Sequence, residues 1–336
     1  MDVSIGACST VWTGYAHPTV SVTGMADETF APTPATTGAD GTSLCILTVH
    51  AHPDDEASKG AGTIARYHAE GVRTVLVTCT GGEEGDILNP ALDNDEVRAD
   101  IAGIRRRELD TAARIIGYDE VVLLGYRDSG MPESEANKHP ECFANADLDE
   151  AVGRLVAVIR RVRPQVIVTY DEDQTGYPHP DHLRVHEVSV LAFDAAADRG
   201  RYPAAGDPWQ PLKLYYSVWS RRRIVETHAK FLELGLESPY DERWFERPSN
   251  EHRITTSVDL KGYEDVRREA LLAHATQVDP TSKFWFGLPP EVARTIHPHD
   301  DYVLARSLAG SPGPDVIEDD LFSGVRRPGG VLSRSI

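Results

Sequence analysis

Basic residues are scarce in this sequence, with 34 Lys and Arg against 53 Asp and Glu and a formal net charge of −19 at pH 7. A surface of that sign repels phosphate backbones and anionic lipid. It argues against nucleic acid and membranes as partners and favours a neutral or weakly charged small molecule. Solubility alone also accounts for such acidity. Long apolar runs are missing too: none approaches the roughly 18 residues of a membrane-spanning helix. The opening MDVSIGACSTVW has an acid at position 2 and no basic flank, so it reads poorly as a signal peptide. A cytoplasmic location is expected by default. Cysteine is limited to Cys8, Cys45, Cys79 and Cys142, with no C-x-x-C pair. Cys45 and Cys79 lie in apolar runs, where Cys behaves as a small hydrophobe, so reduced thiols are expected rather than a disulfide framework or a thiolate metal site. No G-x-G-x-x-G follows the first apolar run, which removes the phosphate cradle of a nucleotide-binding Rossmann protein. No internal repeat is visible.

What is present is ordinary globular composition, 40% hydrophobic and 26% charged over 336 residues, enough for one large domain or a domain with a smaller lobe. Residues 1–43 are rich in Thr, Pro, Ala and Gly and cannot bury enough surface to offset ordering entropy; they are expected to form a disordered extension, with Met25 as a second candidate start. The domain proper is expected over 44–307, followed by a flexible Gly, Pro, Ser and Arg-rich tail over 308–336.

Within the domain, short apolar runs at 44–50, 72–79, 120–124 and 166–170 alternate with helical patterns at 58–70, 95–116, 149–162 and 181–198. Nearly all-apolar strands alternating with helices predict an α/β fold, a mostly parallel sheet flanked by helices on both faces. After about residue 210 the pattern is less regular, predicting a smaller C-terminal α+β portion. It has a strand at 214–218, a helix at 262–276, and pocket-shaping loops around Trp285, Phe286 and the prolines near 289. In such sheets ligands bind where loops leave the carboxyl ends of strands.

Two turns fall at those ends. The first, His50-Ala51-His52-Pro53-Asp54-Asp55-Glu56, follows the first strand directly. Imidazole and carboxylate are natural zinc ligands. His52 and Asp55, three apart, can face one metal if the turn is helix-like, leaving Asp54 as a free carboxylate and a candidate general base. A plain helix N-cap is the alternative, and the two are compatible. The second turn, Tyr177-Pro178-His179-Pro180-Asp181-His182, comes shortly after the fourth strand. His182 would complete a two-histidine, one-carboxylate site with a fourth position for water. His179 would then donate a proton or stabilise an oxyanion, with Asp181 orienting it from behind. Taken alone, this turn reads equally as a surface loop. Paired with the first at matching rim positions, it points to a metal-assisted hydrolase.

The HPDDE and HPDH turns together resemble the PIG-L/LmbE-like zinc deacetylases over roughly residues 44–307. The resemblance implies a Rossmann-like fold and one Zn²⁺ per subunit (Fe²⁺ suits the same ligands). It also implies hydrolysis of N-acyl groups on glucosamine-type sugars, with His52, Asp55 and His182 on the metal, Asp54 as base and His179 as acid or electrostatic partner. Tyr177 would cover the acyl oxygen, and Arg105 and Asp128 would contact the sugar-inositol. For Arg105 and Asp128 a helix ion pair and a turn cap are the plain alternatives. Within the family, Ser58-Lys59-Gly60, the loop 81–90 and the stretch 274–280 resemble the branch acting on S-conjugates of the sugar thiol mycothiol. That implies a small thiol-sugar conjugate as substrate, cut into a mercapturic-acid-type S-conjugate and glucosaminyl-inositol. Lys59 would contact the N-acetylcysteinyl part, unless it is simply a solvated helix charge. The runner-up activity is N-deacetylation of N-acetylglucosaminyl-inositol by the same residues; a non-catalytic metal scaffold is the rival from another class.

Overall fold

Every residue of β1 (Cys45–His50) is buried, as expected for a strand covered on both faces. Its side chains alternate between two cores. Cys45, Leu47 and Val49 enter one, and Leu44 and Ile46 the other. Among the described residues β1 is the third strand of a seven-stranded sheet with the order β3-β2-β1-β4-β5-β7-β6. The strands are β2 (Arg73–Thr80), β3 (Glu120–Tyr126), β4 (Val166–Thr169), β5 (Lys213–Val218), β6 (Thr256–Asp259) and β7 (His299–Ser307). β1 to β5 pair in parallel, whereas β7 runs antiparallel to both β5 and β6. The structure, a computed structural model, describes residues 37–38, 41–173, 176–313 and 315–326. Met25 and nearly all of the expected N-terminal extension lie outside the described residues, as do residues 327–336 of the expected tail.

Helices cover both faces. α1 (Asp55–Ser58), α2 (Ala61–Ala69), α3 (Asp95–Ala99) and α4 (Ile101–Ile116) follow β1 and β2. α5 (Leu148–Val162) and α6 (Pro180–Ala195) flank β4 and place Leu155, Ile159, Val185 and Val188 in the first core. α7 (Arg221–Glu233), α8 (Glu242–Glu246), α9 (Val266–Ala273), α10 (Lys283–Phe286) and α11 (Pro290–Ala293) belong to the C-terminal portion. Ile64 of α2, Ala112 and Ile116 of α4 and Ala270 and Leu271 of α9 fill the second core. Among the described residues no helix is long and apolar enough to cross a membrane.

Three expectations change. The helix read over 58–70 breaks at Lys59-Gly60, where Gly60 takes φ +88 and a Cβ would crowd the Tyr302 hydroxyl. The strands at 256–259 and 299–307 escaped the apolar-run criterion, because polar residues such as Asp300 and Asp301 sit within the second one. The flexible tail from 308 is corrected over 316–326. Leu321, Phe322 and Val325 pack into the second core, Lys213 Nζ lies 3.1 Å from a Glu318 carboxylate oxygen, and the Tyr67 hydroxyl donates to Asp320. Leu321, Phe322 and Val325 dock it, while the segment's other large apolar residues, Val316 and Ile317, stay exposed.

Candidate active site

The order of the sheet reverses at β1, with β2 on one side and β4 on the other. Loops leaving the carboxyl ends of β1 and β4 diverge there and leave a crevice. Both His-rich turns enter it. The first ends in Asp54, which has φ +116, a conformation that non-glycine residues seldom adopt. It is held from below. The Asp54 amide donates to Glu56 Oε2 at 2.9 Å, and the other Glu56 oxygen lies 2.5 Å from His274 Nε2. Arg105, from α4, donates to the carbonyls of Pro53 and Gly82 and lies 3.1 Å from the Asp54 carboxylate. Gly82 and Gly85 leave room for this guanidinium, since a Cβ at either would strike it.

His52, Asp55 and His182 converge. Each offers a ligand atom, these atoms all lie within 4.8 Å of one another, and all three residues are buried. His52 Nδ1 is 3.5 Å from one Asp55 oxygen and His182 Nε2 3.5 Å from the other. Two imidazoles and a carboxylate suit a divalent metal with an open fourth position. A second buried group shares His52 and adds Asp128, His179 and Asp181. In this second group Asp181 accepts from the Ser129 amide and hydroxyl, Asp128 accepts from the Gly130 amide, and His179 Nδ1 accepts from the Asp181 amide.

The electrostatics follow from this packing. Burial alone would raise the Asp55 carboxyl, but Lys59, 2.6 Å away, and the imidazoles of His182 and His52 hold it well below the usual range. Burial pushes Asp54 up, against the pull of Arg105. Burial and the neighbouring His52 bring His179 down to about 4. Burial opposes charge on His52, yet Asp128, Asp181 and Asp55 outweigh it and raise its pKa.

Asp181 differs from its expected place, and Arg105 and Lys59 have partners within the protein. Asp181 does not sit behind the His179 ring. It is at the second position of α6 and fully buried, so its carboxylate turns inward, 3.2 Å from His52 Nε2. Arg105 donates to the Pro53 and Gly82 carbonyls and pairs with Asp54. Lys59 rests on Asp55 and over the Tyr170 ring. Asp128 lies 3.6 Å from His52 Nε2, and the half-exposed Tyr177 stacks beside His179 at the mouth. Sequence reasoning missed Tyr170, read only as the end of a strand. Its hydroxyl receives the Ala51 amide at 3.1 Å and its ring stacks on His182 at 4.6 Å. The stretches 81–90 and 274–280, noted separately in the sequence, form one wall: the Leu88 amide donates to the Thr276 carbonyl and the Asn89 side chain to Ala275.

Comparison with known proteins decides the family. The model for PIG-L, GlcNAc-PI de-N-acetylase, matches residues 47–193. Over 292 residues the chain is 47% identical to the mycothiol S-conjugate amidase of Streptomyces coelicolor, covering 84% of this chain and 98% of that protein. The chain belongs to the PIG-L/LmbE family. It is also 42% identical to the 1D-myo-inositol 2-acetamido-2-deoxy-α-D-glucopyranoside deacetylase of Streptomyces avermitilis, over 83% of this chain and 97% of that one. As a PIG-L/LmbE member it is an amide-cleaving hydrolase, and its His/Asp/His group is a metal-binding arrangement. Solved structures share the fold. The N,N'-diacetylchitobiose deacetylase of Pyrococcus horikoshii aligns with a TM-score of 0.54 at 17% identity, over 78% of this chain and 84% of that one. The 4-carboxy-2-hydroxymuconate hydratase GalB of Pseudomonas putida aligns with a TM-score of 0.53 at 19% identity, over 80% of this chain and 99% of that one. One fold thus hosts a deacetylase and a hydratase, so the reaction must be argued from the site.

Proposed function

We propose that this PIG-L/LmbE enzyme is a zinc-dependent amidase that hydrolyses mycothiol S-conjugates, releasing glucosaminyl-inositol and a mercapturic-acid-type S-conjugate. The observation that carries amide hydrolysis is the buried convergence of His52, Asp55 and His182 beside Asp54, a carboxylate kept out of that group. The mycothiol substrate is supported by the 47% identity to an amidase of that name over nearly its whole length. A zinc ion held by His52, Asp55 and His182 would supply a water of lowered pKa and a Lewis acid for the acyl oxygen.

This chain's own residues do the rest. Asp54 lines the cavity with its pKa raised by burial, which suits a carboxylate that takes a proton from the attacking water and returns it to the departing amine. His179 is neutral at pH 7, its pKa lowered to about 4. Because its Nδ1 accepts from the Asp181 amide, its proton sits on Nε2, which makes the ring a hydrogen-bond donor to the developing oxyanion. Tyr177, exposed at the mouth with its phenol kept protonated, is a second donor. Asp181 and Asp128 orient His52 from its far nitrogen. Lys59 pairs with Asp55 and is the cation that would face the N-acetylcysteinyl group.

The second reading, N-deacetylation of N-acetylglucosaminyl-inositol, is favoured by the 42% identity to a deacetylase named for that substrate. Purified zinc-loaded protein assayed on a mycothiol bimane conjugate and on N-acetylglucosaminyl-inositol separates them. The amidase reading expects the higher kcat/KM on the conjugate, and faster acetate release from the acetylated sugar overturns it.

A further inference from the structure

An apolar hollow in the C-terminal portion lies beside the site described above, not inside it. Trp219, the residue after β5, stands at the carboxyl end of a strand parallel to β4, on the same rim as the two His-rich turns. Its ring lies parallel to that of Phe284, with centroids 5.8 Å apart, and Trp285 meets both edge-on at 5.7 and 4.8 Å. These rings wall a cavity of about 150 Å³. A cavity of that size holds one benzene ring.

Its polar wall is cationic although the protein as a whole is strongly acidic. Arg223 and Arg267 both line it and share one carboxylate. Asp300 Oδ1 is bonded to Arg267 and lies 3.6 Å from Arg223, while Asp300 Oδ2 is taken by Thr63. The rest of the lining adds Arg268, Lys283 and Arg294 against Glu264 and Asp265, while Asp301 also acts on Arg223. Burial and the neighbouring Arg267 bring Arg223 down to about 10. Among the described residues nothing accepts a hydrogen bond from the buried Arg267 Nε. Flat apolar walls beside two largely buried guanidiniums fit an aromatic group that carries a carboxylate.

The hollow borders on residues next to the reaction centre. Trp219, Arg223 and Arg267 also line a smaller cleft with Ser58, Lys59 and Gly60, and Lys59 touches Asp55. We propose that this aromatic, arginine-lined pocket receives the group bonded to the substrate's sulfur, and that it selects conjugates whose substituent is an aryl ring bearing a carboxylate. The inference rests on the amidase reading for the identity of the substrate. It assigns to the C-terminal portion the choice among thiol conjugates, while the two His-rich turns serve them all alike.

The test uses the full-length, zinc-loaded enzyme and three mycothiol S-conjugates: methyl, benzyl and 4-carboxybenzyl. The expected order of kcat/KM is 4-carboxybenzyl above benzyl above methyl, with KM carrying the difference and each step on the order of tenfold. Phe284→Ala is expected to bring the benzyl-to-methyl ratio towards one, and Arg267→Met to bring the carboxybenzyl-to-benzyl ratio towards one. Calorimetric titration of the wild type with N-acetyl-S-(4-carboxybenzyl)cysteine and N-acetyl-S-methylcysteine reads the pocket without any turnover or variant, and tighter binding of the aryl ligand is expected. Equal affinity for the two ligands overturns the pocket, as does hydrolysis of all three conjugates with equal kcat/KM. No hydrolysis of any conjugate, together with preferential binding of the aryl ligand, would instead sink the amidase reading and leave the pocket standing.

Discussion

Glu56 and His274, 218 positions apart in the chain, meet at 2.5 Å with neither side chain exposed to solvent. The other Glu56 oxygen holds the Asp54 amide. A pair from opposite ends of the domain therefore clamps the left-handed turn that aims the proposed base.

Breaking one half of a buried ion pair leaves the other uncompensated. Glu56→Gln is expected to cost about 3–5 kcal/mol of stability by that precedent, measured by urea denaturation. It should also lower kcat more than it raises KM, because the base is displaced while the mouth of the site is untouched. Unchanged stability and kcat would show that the clamp is incidental.

Asp54→Asn keeps the shape of the side chain and removes its capacity to take a proton. A fall in kcat of about 10²- to 10⁴-fold is expected, with zinc content by elemental analysis equal to that of the wild type. Loss of metal in this variant would mean that Asp54 is a ligand rather than a base.

Removal of metal by a chelator is expected to abolish activity and lower Tm, and added zinc to restore both. A ligand that binds only the folded state at about a thousandfold over its Kd stabilises by about 4 kcal/mol. His182→Ala should lose this zinc-dependent rise in Tm. A variant that still bound one equivalent would remove His182 from the ligand set.

Away from the metal, burial would raise the Asp301 carboxyl, but hydrogen bonds from His297, Ser257 and Ser220 bring it down to about 2. A carboxyl lower in the folded than in the unfolded chain adds stability that is complete above about 4, the unfolded value, and fades as pH falls towards 2. The stability gap between wild type and Asp301→Asn is therefore expected to narrow from pH 5 to pH 2. A gap constant across that range would rule the charge out as its source.

Much of the site was legible in the sequence because it is carried by two short turns. His52, Asp54 and Asp55 lie within four positions, as do His179, Asp181 and His182, and each set follows a buried apolar run that could be recognised as a strand. Strand-helix alternation then places both turns on one rim, since parallel strands all end at the same side. The C-terminal edge was less legible: polar residues interrupt β7, and the three side chains that dock 316–326 are too few to give a periodic signal.

Sequence by itself determined the donor types, their spacing and the strand ends from which they emerge, because these depend on local chemistry and on a two-residue or 3.6-residue period. Tertiary structure alone decided which partner each donor meets. It turned Asp181 onto His52 instead of His179, set Arg105 under Asp54, and brought His274 to Glu56. It also gathered Trp219, Arg223, Arg267 and Phe284 into one pocket. These contacts span tens to hundreds of positions. Their geometry is set by how helices pack across a sheet, which no local pattern encodes.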